Sequence, residues 1–145
     1  MHLAQFNIAR LIAPEDDPRV RDFMDNIERI NGLAERMPGF IWRKEGLGSL
    51  PGDPLMTSTI SVWRSATDLR HFVFNTLHKK FYDRRTEWFE ALDQNHMVLW
   101  YVEPGHAPTL AEARAKLRLY EDQGDSAAAF GWDRALRNEH QKETG

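Results

Sequence analysis

Two periodicities alternate along this chain, and their order restricts the folds open to it. Residues 3–11 (LAQFNIARL) set Phe6 and Ile8 on one side and Gln5, Asn7 and Ala9 on the other, as a half-buried strand does. Residues 55–63 (LMTSTISVW) repeat the pattern with Ile60 and Val62 against Thr59, Ser61 and Trp63, and residues 39–45 and 96–103 read as two further strands. Between the first and second strands, Val20, Phe23, Met24, Ile27, Ile30, Ala34 and Met37 fall at helical spacing. Asp17-Pro18 supplies the cap and first position of that helix, and Pro38-Gly39 ends it. Ser65 to Asp68 opens a second helical stretch running towards Leu92, with a candidate interruption at Asn75-Thr76. Residues 46–54, with three Gly and two Pro, read as a loop.

The order βαββαβ predicts an α+β fold, an antiparallel four-stranded sheet with two helices on one face. Asn7 and Trp63 are expected on the face opposite the helices, which has no evident cover. A second copy of the chain is the simplest cover, so a homodimer is expected. Thr109 and Glu112 form a capping box opening a third helix with Leu110, Ala113, Leu117 and Tyr120 on one stripe, ended by Gly124. Residues 1–136 are read as one domain and the polar residues 137–145 as a frayed tail.

Composition narrows the partners. A chain of 145 residues that is 41% hydrophobic and 28% charged can bury its own core without staples, and a formal charge of -3 is too balanced to attract nucleic acid. The absence of cysteine removes disulfides, thiolate nucleophiles and iron–sulfur ligation. No apolar run matches a membrane span and Met1-His2-Leu3-Ala4 does not open like a signal peptide, so a cytoplasmic protein is expected. Eight Phe, five Trp and three Tyr exceed the needs of the core stripes and suggest a flat, hydrophobic or aromatic small-molecule ligand.

The second helical stretch carries two stripes. Leu69, Val73, Leu77, Phe81 and Trp88 form a core stripe, and beside it run His71, Phe74, His78, Tyr82, Arg85 and Phe89. That mixed flank is either an amphipathic rim or the wall of a ligand cavity. His71 and His78 lie about 10.5 Å apart along a continuous helix at about 1.5 Å rise per residue, too far to share one metal ion, so no metal site is assigned. One axial imidazole to haem needs a single His and an apolar slot, which keeps haem as a candidate cofactor. Residues 78–85 (HKKFYDRR) also read as a solvated basic face rather than a nucleic-acid site. In the cavity reading His78, Asn7 and Arg85 are the candidate catalytic residues, with Trp63, His71, Phe74, Tyr82, Trp88 and Trp100 lining the ligand. An amide at Asn7 and an indole at Trp63 on neighbouring strands could line one pocket or belong to a dimer interface.

The strings LAQFNIARL, FVFNTLHKKFYDRRTEWF and LWYVEPGHAPTL resemble the bacterial family known as domain of unknown function 3291, within the dimeric α/β-barrel superfamily. The resemblance spans about residues 3–132 and implies a ferredoxin-like protomer whose sheet pairs with a second protomer to close a barrel. It carries no established reaction. The wider superfamily contains cofactor-independent quinone-forming monooxygenases, haem-degrading monooxygenases, chlorite-dismutase-like proteins and small-molecule isomerases. In the haem degraders a first-strand Asn, a Trp ending the third strand and a second-helix His hold the haem. Asn7 and Trp63 match the first two, and His78, with His71 as its rival, matches the third. The implied activity is a monooxygenase-type oxidoreductase acting on a flat aromatic or polycyclic molecule. A non-catalytic binding module and an isomerase or lyase using one His as acid and base are the alternatives.

Overall fold

The computed structural model describes residues 1–44, 48–50, 53–91 and 96–144. β1 (His2–Arg10) pairs antiparallel with β4 (Asp53–Trp63) on one side and with β5 (Met97–Val102) on the other. β2 (Phe40–Arg43) adds to the far side of β4, giving the order β2-β4-β1-β5. This is the ferredoxin-like order, in which the strands flanking each helix are separated by one strand from elsewhere in the chain. The sequence places a loop over residues 46–54, but β3 (Gly48–Leu50) folds back on β4 with Gly48 opposite Ser58 and Ser49 opposite Thr57. Residues 45–47 and 51–52 of that stretch lie outside the described residues. Pairing to a neighbouring strand overrode the Gly and Pro content on which the loop reading rested.

The helices begin where side chains satisfy their orphan donors. Asp17 accepts from the Arg19 amide ahead of a 3-10 turn with Pro18 at its start, and the chain continues into α1 (Arg21–Glu35). Gly39 follows α1 with φ +86°, and a Cβ there would stand 2.1 Å from an Asp68 carboxylate oxygen, so conformation and close approach both require glycine. Ser65 caps α2 (Ala66–Asn75) by accepting from the Asp68 amide. The second helical stretch does break at Thr76, and α3 (Leu77–Asp83) ends well before Leu92.

The sheet faces are assigned by register. Leu3, Gln5 and Asn7 share one face with Trp63, Ser61 and Thr59, and with Tyr101, Leu99 and Met97. On this face α1 and α2 pack Ala34, Leu69 and Phe72 into one cluster with Leu3, Trp63 and Leu99. Asn7 and Trp63 therefore lie on the α1–α2 face, opposite to the sequence reading. The other face, with Phe6, Ile8, Ile60, Val62, Val98 and Trp100, is not bare, because α4 (Leu110–Gln123) packs Ala113 and Leu117 into it. Phe6 and Val98 are fully buried within the single chain, so the uncovered face from which a dimer was argued does not exist. The alternation of β1 does separate Phe6 and Ile8 from Gln5 and Asn7, but it does not say which helices cover which face, and here α4 rather than α1 and α2 takes the more apolar one.

Residues expected to form a frayed tail instead build α5 (Trp132–Thr144). α5 runs antiparallel along α2, with Trp132 near Phe74 at one end and Glu139 at the N-terminus of α2 at the other. Glu139 accepts from the Ala66 amide, from the Thr67 amide at 3.1 Å and from the Thr67 hydroxyl at 2.7 Å. A carboxylate at a helix N-terminus meets both the unsatisfied amides and the positive end of the dipole. Glu139→Ala is expected to cost about 1 kcal/mol, seen as a fall of about 4 °C in the thermal midpoint.

Candidate functional site

The α1–α2 face of the sheet is not uniformly apolar. Its core is divided between the Leu3–Trp63–Leu99 cluster at one end and a cluster of Leu11, Val20 and Trp88 at the other. Between them β1 and β4 present Gln5, Asn7, Thr59 and Ser61. Gln5 Nε2 donates to Ser61 Oγ at 2.8 Å and to Thr59 Oγ1 at 3.4 Å, and Trp63 Nε1 donates to Ser61 Oγ at 2.9 Å. Thr59 is exposed although it lies on a central strand, so the helical cover is open above it. Opposite Thr59, the half-buried Asn7 carboxamide has no side-chain hydrogen bond among the described residues. An amide in that position is a ready partner for a ligand oxygen.

The wall of this region comes from the break between α2 and α3. A helix that stops at Asn75 leaves its last carbonyls without amide partners. The Thr76 hydroxyl donates to the Phe72 carbonyl at 2.6 Å and accepts from the His78 amide at 3.2 Å. The next orphan, the Val73 carbonyl, lies 3.1 Å from His78 Nδ1. A carbonyl only accepts, so Nδ1 carries the proton and neutral His78 keeps its lone pair on Nε2. Burial pushes the His78 pKa below its usual 6.5, against the opposing pull of the Val73 bond, so the imidazole is neutral at pH 7.

Aromatic contacts join this imidazole to the sheet. The His78 ring lies 4.8 Å from Phe72, Phe72 stacks on Trp63 at 5.4 Å, and Trp63 meets the edge of Phe40 at 5.4 Å. One turn beyond His78, Tyr82 lies 6.5 Å away, packs edge-on against Phe74 at 5.5 Å and carries the Arg85 guanidinium 4.2 Å over its ring. His78, Phe74, Tyr82 and Arg85 are thus brought together, and Trp63 backs them through Phe72. His71 is exposed on α2, because the break at Thr76 destroys the continuous flank its seven-residue spacing implied. Trp88 is buried with Leu11 and Val20, 5.7 Å from Phe23, and is core rather than lining. Trp100 lies on the opposite, α4-covered face with its indole donating to Glu112 at 2.9 Å.

Gln5, Thr59, Ser61, Phe72 and Thr76 were missed as site residues, although three polar side chains in one alternation phase of β1 and β4 were a readable signal. Lys79 and Arg84 of the basic stretch are paired with Asp83 and with Glu87 and Asp22. The described residues contain no group of three potential metal ligands, and no described helix is long and apolar enough to cross a membrane. The haem trio does not fit, since Trp63 is 1% exposed with Phe72 stacked on it and Phe40 against it, which leaves no indole face for a porphyrin.

Ser61→Ala leaves the Trp63 indole without its acceptor and the Gln5 amide with only its 3.4 Å bond to Thr59, and is expected to cost about 1–3 kcal/mol, read from the denaturant midpoint at unchanged slope. Because His78 is held neutral below its unfolded pKa of 6.5, its contribution is complete above that value and is lost as pH falls below it. The stability difference between the natural protein and His78→Gln should therefore shrink as the pH is lowered from about 7 to about 5, as measured by denaturation at each pH.

Solved structures share this fold at low identity. A Pseudomonas aeruginosa protein aligns with TM-score 0.53 and 16% identity over 70% of this chain and 94% of its own. A conserved Methanosarcina mazei protein gives 0.55 and 12% over 71% of this chain and 94% of its own. SnoaB, a cofactor-independent oxygenase from Streptomyces nogalater, gives 0.54 and 14% over 77% of this chain and 98% of its own. No curated protein matches the sequence. The family model described as domain of unknown function DUF3291 matches residues 2–144, and the chain belongs to that family.

Proposed function

We propose that this chain is a cofactor-free monooxygenase-type oxidoreductase for a flat aromatic or polycyclic molecule bound over Asn7 and Thr59. The carrying observation is His78, whose Nδ1 proton is committed to the Val73 carbonyl so that Nε2 is a base beside an aromatic wall. The likeness in fold to a cofactor-independent oxygenase supports the same reading.

In the proposed reaction Nε2 removes a proton from an activated ring CH2, and the carbanion so formed reduces dioxygen. One oxygen atom becomes the ring carbonyl and the other leaves as water, so CH2 and O2 give C=O and H2O. A neutral imidazole suits this step because an imidazolium could not accept the proton. Asn7 donates its amide to the oxygenated intermediate, Arg85 at the rim meets the substrate anion, and Phe74 and Tyr82 pack against the ring system. Trp63 supports this surface from behind Phe72. Since α4 closes the other sheet face, a homodimer forms on another surface, for which the edge strand β2 with its exposed Ile41 is the available candidate.

Oxygen uptake with an anthrone as substrate tests the proposal. His78→Ala is expected to lower kcat by about 100-fold or more and Asn7→Ala by about 10- to 100-fold, with both variants folded. The natural protein's kcat/KM should rise through the depressed pKa of His78 and stay flat above 6.5. Unchanged turnover in both variants overturns the assignment. Product formed without oxygen identifies an isomerase or lyase, and saturable binding without product identifies a binding module.

A further inference from the structure

On the sheet face opposite Asn7, where β5 meets the start of α4, the described residues line an open, shallow cleft of about 400 Å³ beside Trp100 and Val102. Its polar pole is a second imidazole. His106 Nε2 lies 2.6 Å from Glu112 Oε1, and Glu112 Oε2 accepts from the Trp100 indole at 2.9 Å. Glu112 is the third residue of α4, where a capping-box carboxylate turns back to the N-cap amide. Here Thr109 still caps the Glu112 amide at 3.2 Å, but both carboxylate oxygens are turned to the indole and the imidazole instead. Burial works against ionisation of Glu112, yet the hydrogen bonds from His106 and Trp100 outweigh it and hold the carboxyl below its usual range.

We propose that this cleft is a second small-molecule site, in which the His106–Glu112 pair takes the proton of a weakly acidic hydroxyl compound such as a phenol. An ionised carboxylate only accepts, so Nε2 of His106 carries a proton, and in the neutral ring Nδ1 presents the lone pair. Among the described residues Nδ1 has no partner. The step is a proton transfer alone: the hydroxyl proton passes to Nδ1, the oxygen keeps the electron pair, and the imidazolium formed lies against the Glu112 carboxylate. Lys116, one turn along α4 and bonded to the Ala128 carbonyl at 3.1 Å, lines the same cleft and supplies a cation for the oxyanion. Glu103 is the opposing charge on the rim. The imidazole is held in place by a turn in which the His106 amide donates to the Glu103 carbonyl at 3.0 Å and Gly105 takes φ +90°.

The probe is 4-nitrophenol, whose phenolate absorbs at longer wavelength than the phenol. Titrated with the full chain at about pH 7, where much of the free probe is still protonated, it is expected to give a saturable rise in phenolate absorbance. His106→Gln should abolish the rise, and Lys116→Met should weaken binding roughly tenfold. His78→Ala should leave both unchanged, which separates this site from the oxygenase site. Circular dichroism of His106→Gln establishes that the variant is folded. Absence of a saturable rise, its persistence in folded His106→Gln, or its loss in His78→Ala overturns the proposal.

Discussion

A sheet face carrying large apolar side chains must be covered, and the covering of the Phe6–Ile8–Trp100 face by α4 is the constraint on which the rest of this structure depends. β1 is hydrogen-bonded on both edges, so every side chain along it must be resolved onto one face or the other. Buried large side chains on the α4 side, Phe6 at 0% and Trp100 at 1% exposure, each contribute roughly 1.5–3 kcal/mol relative to exposure. That closed layer supplies apolar burial without a second copy. It allows the opposite face to carry polar side chains between its two apolar clusters, where a continuous core would otherwise be required.

On that opposite face the decisive local event is the end of α2. Leaving a buried carbonyl unpaired costs about 1–3 kcal/mol, so the Phe72 and Val73 carbonyls recruit side chains from the next few residues. Thr76 takes one and His78 takes the other. The break therefore fixes an imidazole tautomer as a by-product of helix termination, and the fixed tautomer decides which nitrogen can do chemistry. A continuous helix would have satisfied Val73 through the Leu77 amide and left the His78 ring to solvent-driven rotation. α5 keeps the arrangement in place by lying along α2, with its carboxylate at one end and Trp132 against Phe74 at the other.

Four of the five strands, the ferredoxin-like order, the caps at Asp17, Ser65 and Thr109 and the interruption at Thr76 were legible from local chemistry. His78, Tyr82, Phe74 and Arg85 were legible as one flank because the residues of α3 and its continuation keep their helical spacing across a short distance. What was not legible depends on contacts between distant segments. Which helices face Asn7 and Trp63 is decided by where α1, α2 and α4 dock, and strand alternation alone does not encode that choice. Trp88 and Trp100 look like ligand aromatics by type, yet Leu11 and Val20 claim the first and Glu112 the second. α5 escaped because its anchors are polar, Asn138 on the Tyr101 hydroxyl and Glu139 on α2, and a polar C-terminal run resembles a frayed one.

The two imidazoles that emerge are held by opposite partners. His78 gives its Nδ1 proton to a neutral carbonyl in a desolvated setting and exposes Nε2, whereas His106 faces an ionised carboxylate through Nε2 and exposes Nδ1. A carbonyl partner fixes orientation but adds little to the stability of the charged ring, so His78 suits a base that must be neutral before it acts. A carboxylate partner compensates the charge that appears after transfer, so His106 suits a site where the proton stays with the protein. His78 belongs to the α1–α2 side of the sheet and His106 to the α4 side, so the sheet itself stands between them.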